Sequence, residues 1–325
     1  MNSKLLVAGI LFLCVVTVHS QNETGLNEDI DVTLVSVYIT AVDEGGKFVT
    51  DLKSDDILLI EDGIPQQSSF FGSGAENLPL TVALLIDNSG SITASNLELA
   101  RQAGLLILEE MKSIDKMLLV TFRYTTTAIV EPTFDKNRIR ESLKKLSVQY
   151  GTTALFDAIH FAAGKLNQEL GRKVMILFSD GQDNVSRHRL KDLLTDVAGS
   201  PDITIVSIGT LFPQYAISRY GMEKDYERGK KALQELSDST GGYSVFPRDS
   251  SDLQQSVVKL RDFLRSQYTL AFSPSNKARN GSWRKIEIQC KRRNLRLLYR
   301  KGYVGPGERR GFTASSEDTE SERQR

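Results

Sequence analysis

The chain has 325 residues, and its 41 lysines and arginines balance its 41 aspartates and glutamates. A chain without net charge has no global field to attract nucleic acid or an anionic membrane, so neither class of partner is favoured. Hydrophobic residues make up 40% and charged residues 25%, as in ordinary globular proteins. The three histidines leave little material for a zinc site or for histidine-based catalysis.

The first twenty residues have the pattern of a secretory signal peptide. Lys4 supplies a positive charge, residues 5–18 are an apolar stretch, and Val18 and Ser20 stand at the −3 and −1 positions of a cleavage site. The stretch is shorter than the roughly 20 apolar residues that span a bilayer, so a membrane anchor is the alternative. We predict that residues 1–20 are removed and that the mature protein is secreted or periplasmic.

Cysteine is scarce in this chain. Cys14 lies in the predicted signal peptide, where it raises the alternative of a lipoprotein, and Cys290 is the other cysteine. One mature cysteine cannot form an internal disulfide, so the chain is not a disulfide-stapled extracellular module. In "KIEIQCK" apolar positions alternate with polar ones, which predicts a buried, unreactive strand cysteine.

Residues 21–77 are predicted to form a β segment after a flexible, acidic start at 21–31. In "VTLVSVYITAV" the apolar side chains recur at every second position, which places them on one face of a strand. "DEGGK" has turn chemistry and "DILLIEDG" is typical of a second short strand. The residues predicted to share the buried face are Val35, Val37, Ile39 and Ala41.

Residues 78–266 change to strands alternating with helices. The unbroken apolar runs "TVALLI", "MLLVTF", "VMILF" and "ITIVSIG" are typical of strands buried on both faces of a parallel sheet, and "TAIVEPT" is predicted as an edge strand. This alternation predicts an α/β fold, a Rossmann-like doubly wound sheet that is mostly parallel. Helices are predicted near 95–113, 135–147, 154–170, 187–198, 223–239 and 250–265.

Residues 267–305 contain three further strand-like segments, "QYTLAFSP", "WRKIEIQCK" and "LRLLYRKGY". We expect them to pair with the N-terminal strands, so that both ends of the chain build a small all-β unit. Residues 306–325 are rich in Gly, Ser, Glu and Arg, which predicts a disordered tail.

Three loops of the α/β region carry side-chain oxygens where a strand ends or a helix begins. The first is "DNSGS", with Asp87, Ser89 and Ser91; the second is "YGTTALFDA"; the third is "FSDGQDN", with Asp180. In doubly wound sheets, ligands bind at the carboxyl ends of the strands, so we expect these loops to meet there.

Hard divalent cations suit this set of oxygens. Mg²⁺ prefers oxygen ligands in near-octahedral geometry and usually keeps several waters. Two carboxylates and neutral hydroxyls would leave the charge of such an ion incompletely balanced. An open coordination position would then attract an incoming carboxylate, so the loops predict binding of acidic groups without a catalytic base.

The motifs "DNSGS", "GTTAL" and "SDG" resemble the metal-ion-dependent adhesion site of the von Willebrand factor type A domain. The resemblance implies a Rossmann-like domain that binds protein ligands through Mg²⁺ or Mn²⁺. Thr152 stands where that family commonly has a second glycine, so the choice between Thr152 and Thr153 stays open, with Thr153 preferred because it directly precedes "ALFDA". The implied metal ligands are Asp87, Ser89, Ser91, Thr153 and Asp180.

The flanking segments extend the resemblance over residues 32–304. "VTDLKSDDILLIEDGIPQQSSFF" and "SQYTLAFSP", with the strands that follow, are similar to an exported bacterial group of these proteins, best known from Acidobacteria. These segments are typical of the group and say little about its function.

Each oxygen-bearing loop also has a plainer interpretation. Ser91 or Thr93 could cap the following helix, Thr153 could cap the next one, and Asp180 could open an ordinary turn. Asp157, Asp183 and Asn184 could orient ligands or waters, or could bind backbone only. His160 and His188 have no partner motif and are predicted to be solvated or half-buried.

We weigh three functions from different classes. The first is a non-enzymatic, exported adhesion or assembly module, whose metal binds an Asp or Glu side chain of a partner protein. The second is a structural scaffold in which the metal is incidental. The third is a metal-assisted hydrolase or phosphatase; it is disfavoured because Ser89 stands where aspartate-nucleophile phosphatases carry a second aspartate, and because no nucleophile elbow or phosphate loop is found.

Overall fold

The structure is a computed structural model that describes residues 34–73, 78–198, 200, 202–210 and 223–307. The predicted signal peptide, the flexible start at 21–31 and residues 308–325 of the predicted tail lie outside the described residues. In the part of the chain that is described, no helix is both long and apolar enough to cross a membrane.

The chain begins with short strands and then enters the α/β region. A single 3₁₀ turn, Ser54–Asp56, precedes the third strand. The first strands are β1 (Val35–Asp43), β2 (Phe48–Val49), β3 (Ile57–Glu61), β4 (Ile64–Gln66) and β5 (Ser68–Gly72). The strands of the α/β region are β6 (Leu80–Asp87), β7 (Lys116–Phe122), β8 (Thr126–Thr133), β9 (Arg172–Ser179), β10 (Ile203–Gly209) and β11 (Ser244–Val245).

Helices alternate with these strands, and four strands complete the described chain. The helices are α1 (Ala94–Glu110), α2 (Lys136–Lys144), α3 (Leu155–Leu166), α4 (Leu190–Ala198), α5 (Glu223–Ser239) and α6 (Ser250–Ser266). The last strands are β12 (Tyr268–Phe272), β13 (Trp283–Cys290), β14 (Leu295–Leu298) and β15 (Gly302–Val304).

The central sheet has the strand order β11-β10-β9-β6-β7-β8. All neighbours are parallel except β8, the edge strand, which runs antiparallel to β7. Side chains of β6 alternate between two apolar cores: Leu84 and Ile86 pack with α1, α2 and α6, whereas Ala83 and Leu85 pack with α3, α4 and α5. Helices on both faces of a mostly parallel sheet confirm the predicted Rossmann-like α/β fold.

The helix predicted at 154–170 is shorter than expected. It ends at Leu166, and Leu170, which fits the helical spacing, is 86% exposed. The Gln168 and Glu169 N–H groups donate to carbonyls three residues earlier, which closes the last turn. Gly171 follows with a φ of +82°, which is incompatible with a right-handed helix. Apolar periodicity predicts the helix but not the turn that ends it.

Strands from before and after the α/β region build the all-β unit, as the sequence predicts. β1 pairs with β12 and β14, and β13 pairs with β3, all antiparallel. One apolar cluster fills this unit, and Val35, Val37, Ile39 and Ala41 all belong to it. Cys290 is free but only half-buried, so the prediction of a buried cysteine was wrong; it is the last residue of β13, where cover from neighbouring strands ends.

Candidate metal centre

Two of the predicted carboxylates end neighbouring strands. Asp87 is the last residue of β6, and Asp180 directly follows Ser179, the last residue of β9. The two strands are parallel and in register, with Ile86 opposite Phe178. Side-by-side pairing therefore brings both carboxylates to the same edge of the sheet, and both are buried.

The Asp87 carboxylate is held by two hydrogen bonds. The Ser89 backbone N–H donates to Oδ1 at 3.0 Å, and the Ser179 hydroxyl donates to Oδ2 at 3.0 Å. The Ser179 Oγ in turn accepts the Gly181 N–H at 3.1 Å, which ties the Asp180 loop to the first loop. Ser179 was not among the predicted site residues; its place between the apolar run and Asp180 is the one signal that marks it.

The serine hydroxyls of the first loop lie against the second carboxylate. Ser89 Oγ and Ser91 Oγ are 3.2 Å apart, and the Ser91 hydroxyl is close enough to Asp180 to hydrogen-bond its carboxylate. Asp180 Oδ1 also accepts the Gln182 N–H at 2.9 Å. Thus Asp87, Ser89, Ser91 and Asp180 form one connected cluster.

Both carboxylates of this cluster have raised pKa values. Burial and the nearby Asp180 carboxylate raise the pKa of Asp87 from 3.8 to about 7, despite the hydrogen bonds from Ser89 and Ser179. Burial also raises the pKa of Asp180. Within the described residues, neither carboxylate forms an ion pair with a lysine, arginine or histidine. Two buried, mutually repelling carboxylates would therefore gain from a cation between them.

The second loop reaches the other two through its backbone. Gly90 N–H donates to the Gly151 carbonyl at 3.3 Å, and Asn184 N–H donates to the Thr153 carbonyl at 2.8 Å. Thr153 N–H donates back to Asn184 Oδ1 at 3.3 Å. Thr153 is 2% exposed, whereas Thr152 is exposed to solvent. The structure thus places Thr153 between the first and third loops and turns Thr152 outward.

The capping interpretation can be tested directly. Thr93 is the N-cap of α1, and its side chain accepts the Asn96 N–H at 3.1 Å. The N-cap of α3 is Ala154, which has no side-chain capping hydrogen bond. Neither Ser91 nor Thr153 therefore acts as a helix cap.

The nearby polar residues separate into two roles. Asn184 holds the backbone of Thr153 by two hydrogen bonds. Asp157 instead accepts the backbone N–H groups of Arg187 and His188 at 3.0–3.1 Å and the His188 ring at 2.6 Å. His188 stacks on His160 with 4.0 Å between ring centroids, and both rings are half-buried as predicted. Asp157 and the histidines thus brace the far side of the Asp180 loop.

Helix α5 packs closely against the Asp180 loop. A Cβ on Gly229 would lie 2.3 Å from the Asp180 carbonyl oxygen, and a Cβ on Gly181 would lie 2.3 Å from the Gly229 carbonyl oxygen. In the same loop, the Gln182 side-chain amide donates to the backbone carbonyl of Asp225 in α5. Glycine is required on both sides of this contact, which holds Asp180 in place from outside the sheet.

The donor set suits a hard cation. In the described part of the chain, no group of three or more His, Cys, Asp and Glu side chains is placed to hold a metal, so a metal at this cluster would need the hydroxyls as well as the two carboxylates. Carboxylates and hydroxyls are the oxygen ligands that hard divalent cations accept.

Comparison with known proteins gives the same class of domain. A family model described as the von Willebrand factor type A domain matches residues 82–182, a range that includes all five predicted ligands. Residues 82–182 thus match the von Willebrand factor type A domain. Such domains are in general protein-interaction modules, and they commonly bind a divalent metal.

The similar full-length proteins are much longer. The chain is 25% identical over 199 residues to inter-alpha-trypsin inhibitor heavy chain H3 of Pongo abelii, which covers 57% of this chain and 21% of the relative. The human heavy chain H3 is 24% identical with the same coverage. The chain thus spans about a fifth of the length of these relatives.

Solved structures of this class are also similar. A von Willebrand factor type A protein from Catenulispora acidiphila is 11% identical, covers 85% of this chain and 75% of its own, and has a TM-score of 0.46. Proximal thread matrix protein 1 from the mussel byssus, with a zinc-occupied MIDAS motif, is 19% identical, covers 60% and 47%, and has a TM-score of 0.47.

Proposed function

We propose that this protein is an exported adhesion or assembly module that binds an acidic group of a partner protein through Mg²⁺ or Mn²⁺. The metal would be held at the carboxyl edge of the central sheet, in a domain spanning residues 78–266 between the β segments 21–77 and 267–305. The residues that would hold it are Asp87, Ser89, Ser91, Thr153 and Asp180.

One observation carries this proposal. Asp87 and Asp180 are buried side by side, and among the described residues no cationic side chain pairs with either. A buried like-charge pair destabilises the fold unless a proton or a cation neutralises it. A divalent ion would neutralise the pair and complete its coordination with the neighbouring hydroxyls and water.

The residues around the metal would have different roles. The carboxylates would supply the charge that retains the ion, and Ser179 and the Ser89 N–H fix the orientation of Asp87. The neutral hydroxyls would leave the ion electrophilic, so that its open position attracts a carboxylate of the partner. Binding of this kind needs no nucleophile or general base.

Thermal unfolding with and without metal tests the proposal. We expect the melting temperature to rise when Mg²⁺ or Mn²⁺ replaces EDTA, because an ion that binds only the folded state stabilises it by about 2.7 kcal/mol at a hundredfold excess over its Kd. Asp180→Ala should abolish that rise. A wild-type protein whose melting temperature is the same in EDTA and in millimolar metal would contradict the proposal.

Asp183→Ala is the matched control. Asp183 lies on the same loop, but its carboxylate accepts the Ser186 hydroxyl at 2.5 Å and the Phe156 N–H at 3.3 Å, outside the cluster. This variant should lose some stability and keep the metal-dependent rise. Equal loss of the rise in both variants would mean that the loop as a whole, rather than Asp180, governs the response.

A further inference from the structure

Beside the candidate metal centre lies a surface that the proposed ligands do not use. Three residues form it: Arg123 and Tyr124, in the turn after β7, and Tyr150, in the second loop. Tyr150 is 94% exposed and Tyr124 is 51% exposed. We call these three residues the aromatic patch.

The patch adjoins the loops of the site. A Cβ on Gly90, the residue between Ser89 and Ser91, would lie 3.8 Å from the Tyr150 Cα. The Gln149 N–H also donates to the Asn88 carbonyl at 3.0 Å. Tyr150 is therefore seated directly against the first loop, with its side chain in solvent.

The turn after β7 is attached to the second loop. The Arg123 carbonyl accepts the Ala154 N–H at 2.6 Å, one residue beyond Thr153. A Cβ on Gly151 would lie 3.2 Å from Tyr124 Cδ1, so the Tyr124 ring packs on the glycine that directly follows Tyr150. Gly151 has a φ of +147°, which a side chain would strain further. These contacts fix the patch relative to the candidate ligands.

Arg123 carries a charge that the described part of the chain does not neutralise. Its guanidinium carbon stands 4.2 Å from the centroid of the Tyr124 ring, and Nη1 is 3.5 Å from the Tyr150 carbonyl oxygen. Within the described residues it forms no ion pair with an aspartate or glutamate, although the surface pairs elsewhere are numerous. The stacking holds the guanidinium in one plane and leaves its donors available to a carboxylate.

Such a combination is typical of binding hot spots. Tyrosine and arginine are the residue types enriched there, and a stacked arginine loses little freedom when it binds a carboxylate in a bidentate fashion. Charge complementarity therefore selects the occupant of this surface, since the one cation of the patch lacks an acidic partner in the described chain.

We propose that the aromatic patch determines partner specificity, by binding a segment with two acidic residues a few positions apart. This inference rests on the proposed function: one carboxylate of the segment binds the metal, and the second binds Arg123. Tyr150 and Tyr124 cover the chain between them. A single exposed carboxylate is a common surface feature, whereas a spaced pair next to an apolar contact is a selective one.

Selection from a displayed library of random peptides tests this. The purified protein is incubated with the library in Mg²⁺, and the bound peptides are sequenced. We expect the wild type to enrich peptides with two acidic residues, and Arg123→Gln to enrich peptides with one. For a peptide chosen by the wild type, Arg123→Gln and Tyr150→Ser should each weaken binding about tenfold or more, in the range of hot-spot truncations.

Matched controls lie far from the site. Arg296→Gln removes an exposed arginine from β14, and Phe134→Ser removes an exposed aromatic residue that packs near Lys116, at the amino end of β7. Both should bind the selected peptide as the wild type does. All four variants should keep the metal-dependent rise in melting temperature, which shows that they are folded and that their metal site is intact.

The outcomes separate the two proposals. Peptides enriched in neutral or basic residues, or equal affinity of Arg123→Gln and wild type, would overturn the role of the patch while leaving the metal site untouched. Selection of paired acidic residues that depends on Arg123 and persists in EDTA would support the patch and contradict the metal-dependent function. Failure of the wild type to enrich any sequence in Mg²⁺ would overturn the inference.

Discussion

Buried carboxylates at the two ends of the central sheet have different partners. At the amino end, Asp115 is 8% exposed, and its carboxylate accepts the Leu80 N–H at 3.0 Å and the Lys112 N–H at 2.7 Å. Arg172 at the start of β9 is close enough to interact with it electrostatically. At the carboxyl end, Asp87 faces a second carboxylate instead of a cation.

This difference separates a buried charge that has partners within the chain from a buried pair of like charges. Asp115 connects the starts of β6 and β7, and its partners all belong to the chain. The pair of Asp87 and Asp180 has hydrogen bonds that fix its geometry but, within the described residues, nothing that balances its charge. Strongly shifted pKa values cluster at functional sites, so this pair supports the proposal that a cation from outside the chain completes the cluster.

The largest effect is expected at the amino end. Asp115→Ala removes the acceptor of the buried Leu80 N–H and of the partly buried Lys112 N–H, and it removes a carboxylate that interacts with Arg172. Because an unsatisfied buried donor costs about 1–3 kcal/mol and the loss of the second hydrogen bond adds to this, we expect a loss of about 3 kcal/mol in the free energy of unfolding. Denaturant unfolding in EDTA and in Mg²⁺ should give the same loss; a loss that depends on metal would show that the two ends are coupled.

At the carboxyl end, the effect of a substitution on stability should change sign when metal is added. In EDTA, Asp87→Asn removes one of two repelling carboxylates at nearly constant shape, so the variant should be as stable as the wild type or more stable. In saturating Mg²⁺ the wild type should gain about 2.7 kcal/mol at a hundredfold excess over Kd and so become more stable than the variant, which should not gain. Thermal unfolding of both proteins under both conditions measures this crossover, and a variant that is less stable in EDTA would weigh against the repulsion.

The same pair predicts a pH dependence without metal. The unfolded chain releases the Asp87 proton near pH 3.8 and the folded protein near pH 7. The folded protein therefore holds more protons between these values, and this contribution to stability falls as the pH rises from about 4 to 7. The difference in melting temperature between wild type and Asp87→Asn, followed across this range in EDTA, isolates the contribution; a flat difference would contradict it.

The smallest change in stability is expected for substitutions of two threonines that lie just before helices. Thr93 caps α1, so Thr93→Ala should reduce the free energy of unfolding by about 1 kcal/mol and leave the metal response unchanged. Thr153→Ala removes no cap and should instead reduce the metal-dependent rise. Melting curves of both variants in EDTA and Mg²⁺ distinguish the roles; exchanged phenotypes would assign the second loop to a purely structural role.

Periodicity and local motifs were sufficient for much of this protein. Unbroken apolar runs identified the buried strands β6, β7, β9 and β10, because a strand covered on both faces tolerates few polar residues. Alternation at Val35 and Val37 identified the face of β1 that packs in the all-β unit, although Tyr38, Thr40 and Val42 on its other face are buried too. Asp87, Ser89 and Ser91 were recognisable because all three belong to one short loop, whose spacing is written in the chain itself.

Tertiary structure alone decided what depends on distant pairing. The register of β6 beside β9 brings Ser179 and Asp180 to Asp87, although more than ninety residues separate them along the chain. It also decided that Thr153 is buried between two loops, and that Arg123 and Tyr150 lie together beside the site. Spacing along the sequence specifies contacts within one element or loop, whereas contacts between loops follow from how the strands are ordered in the sheet.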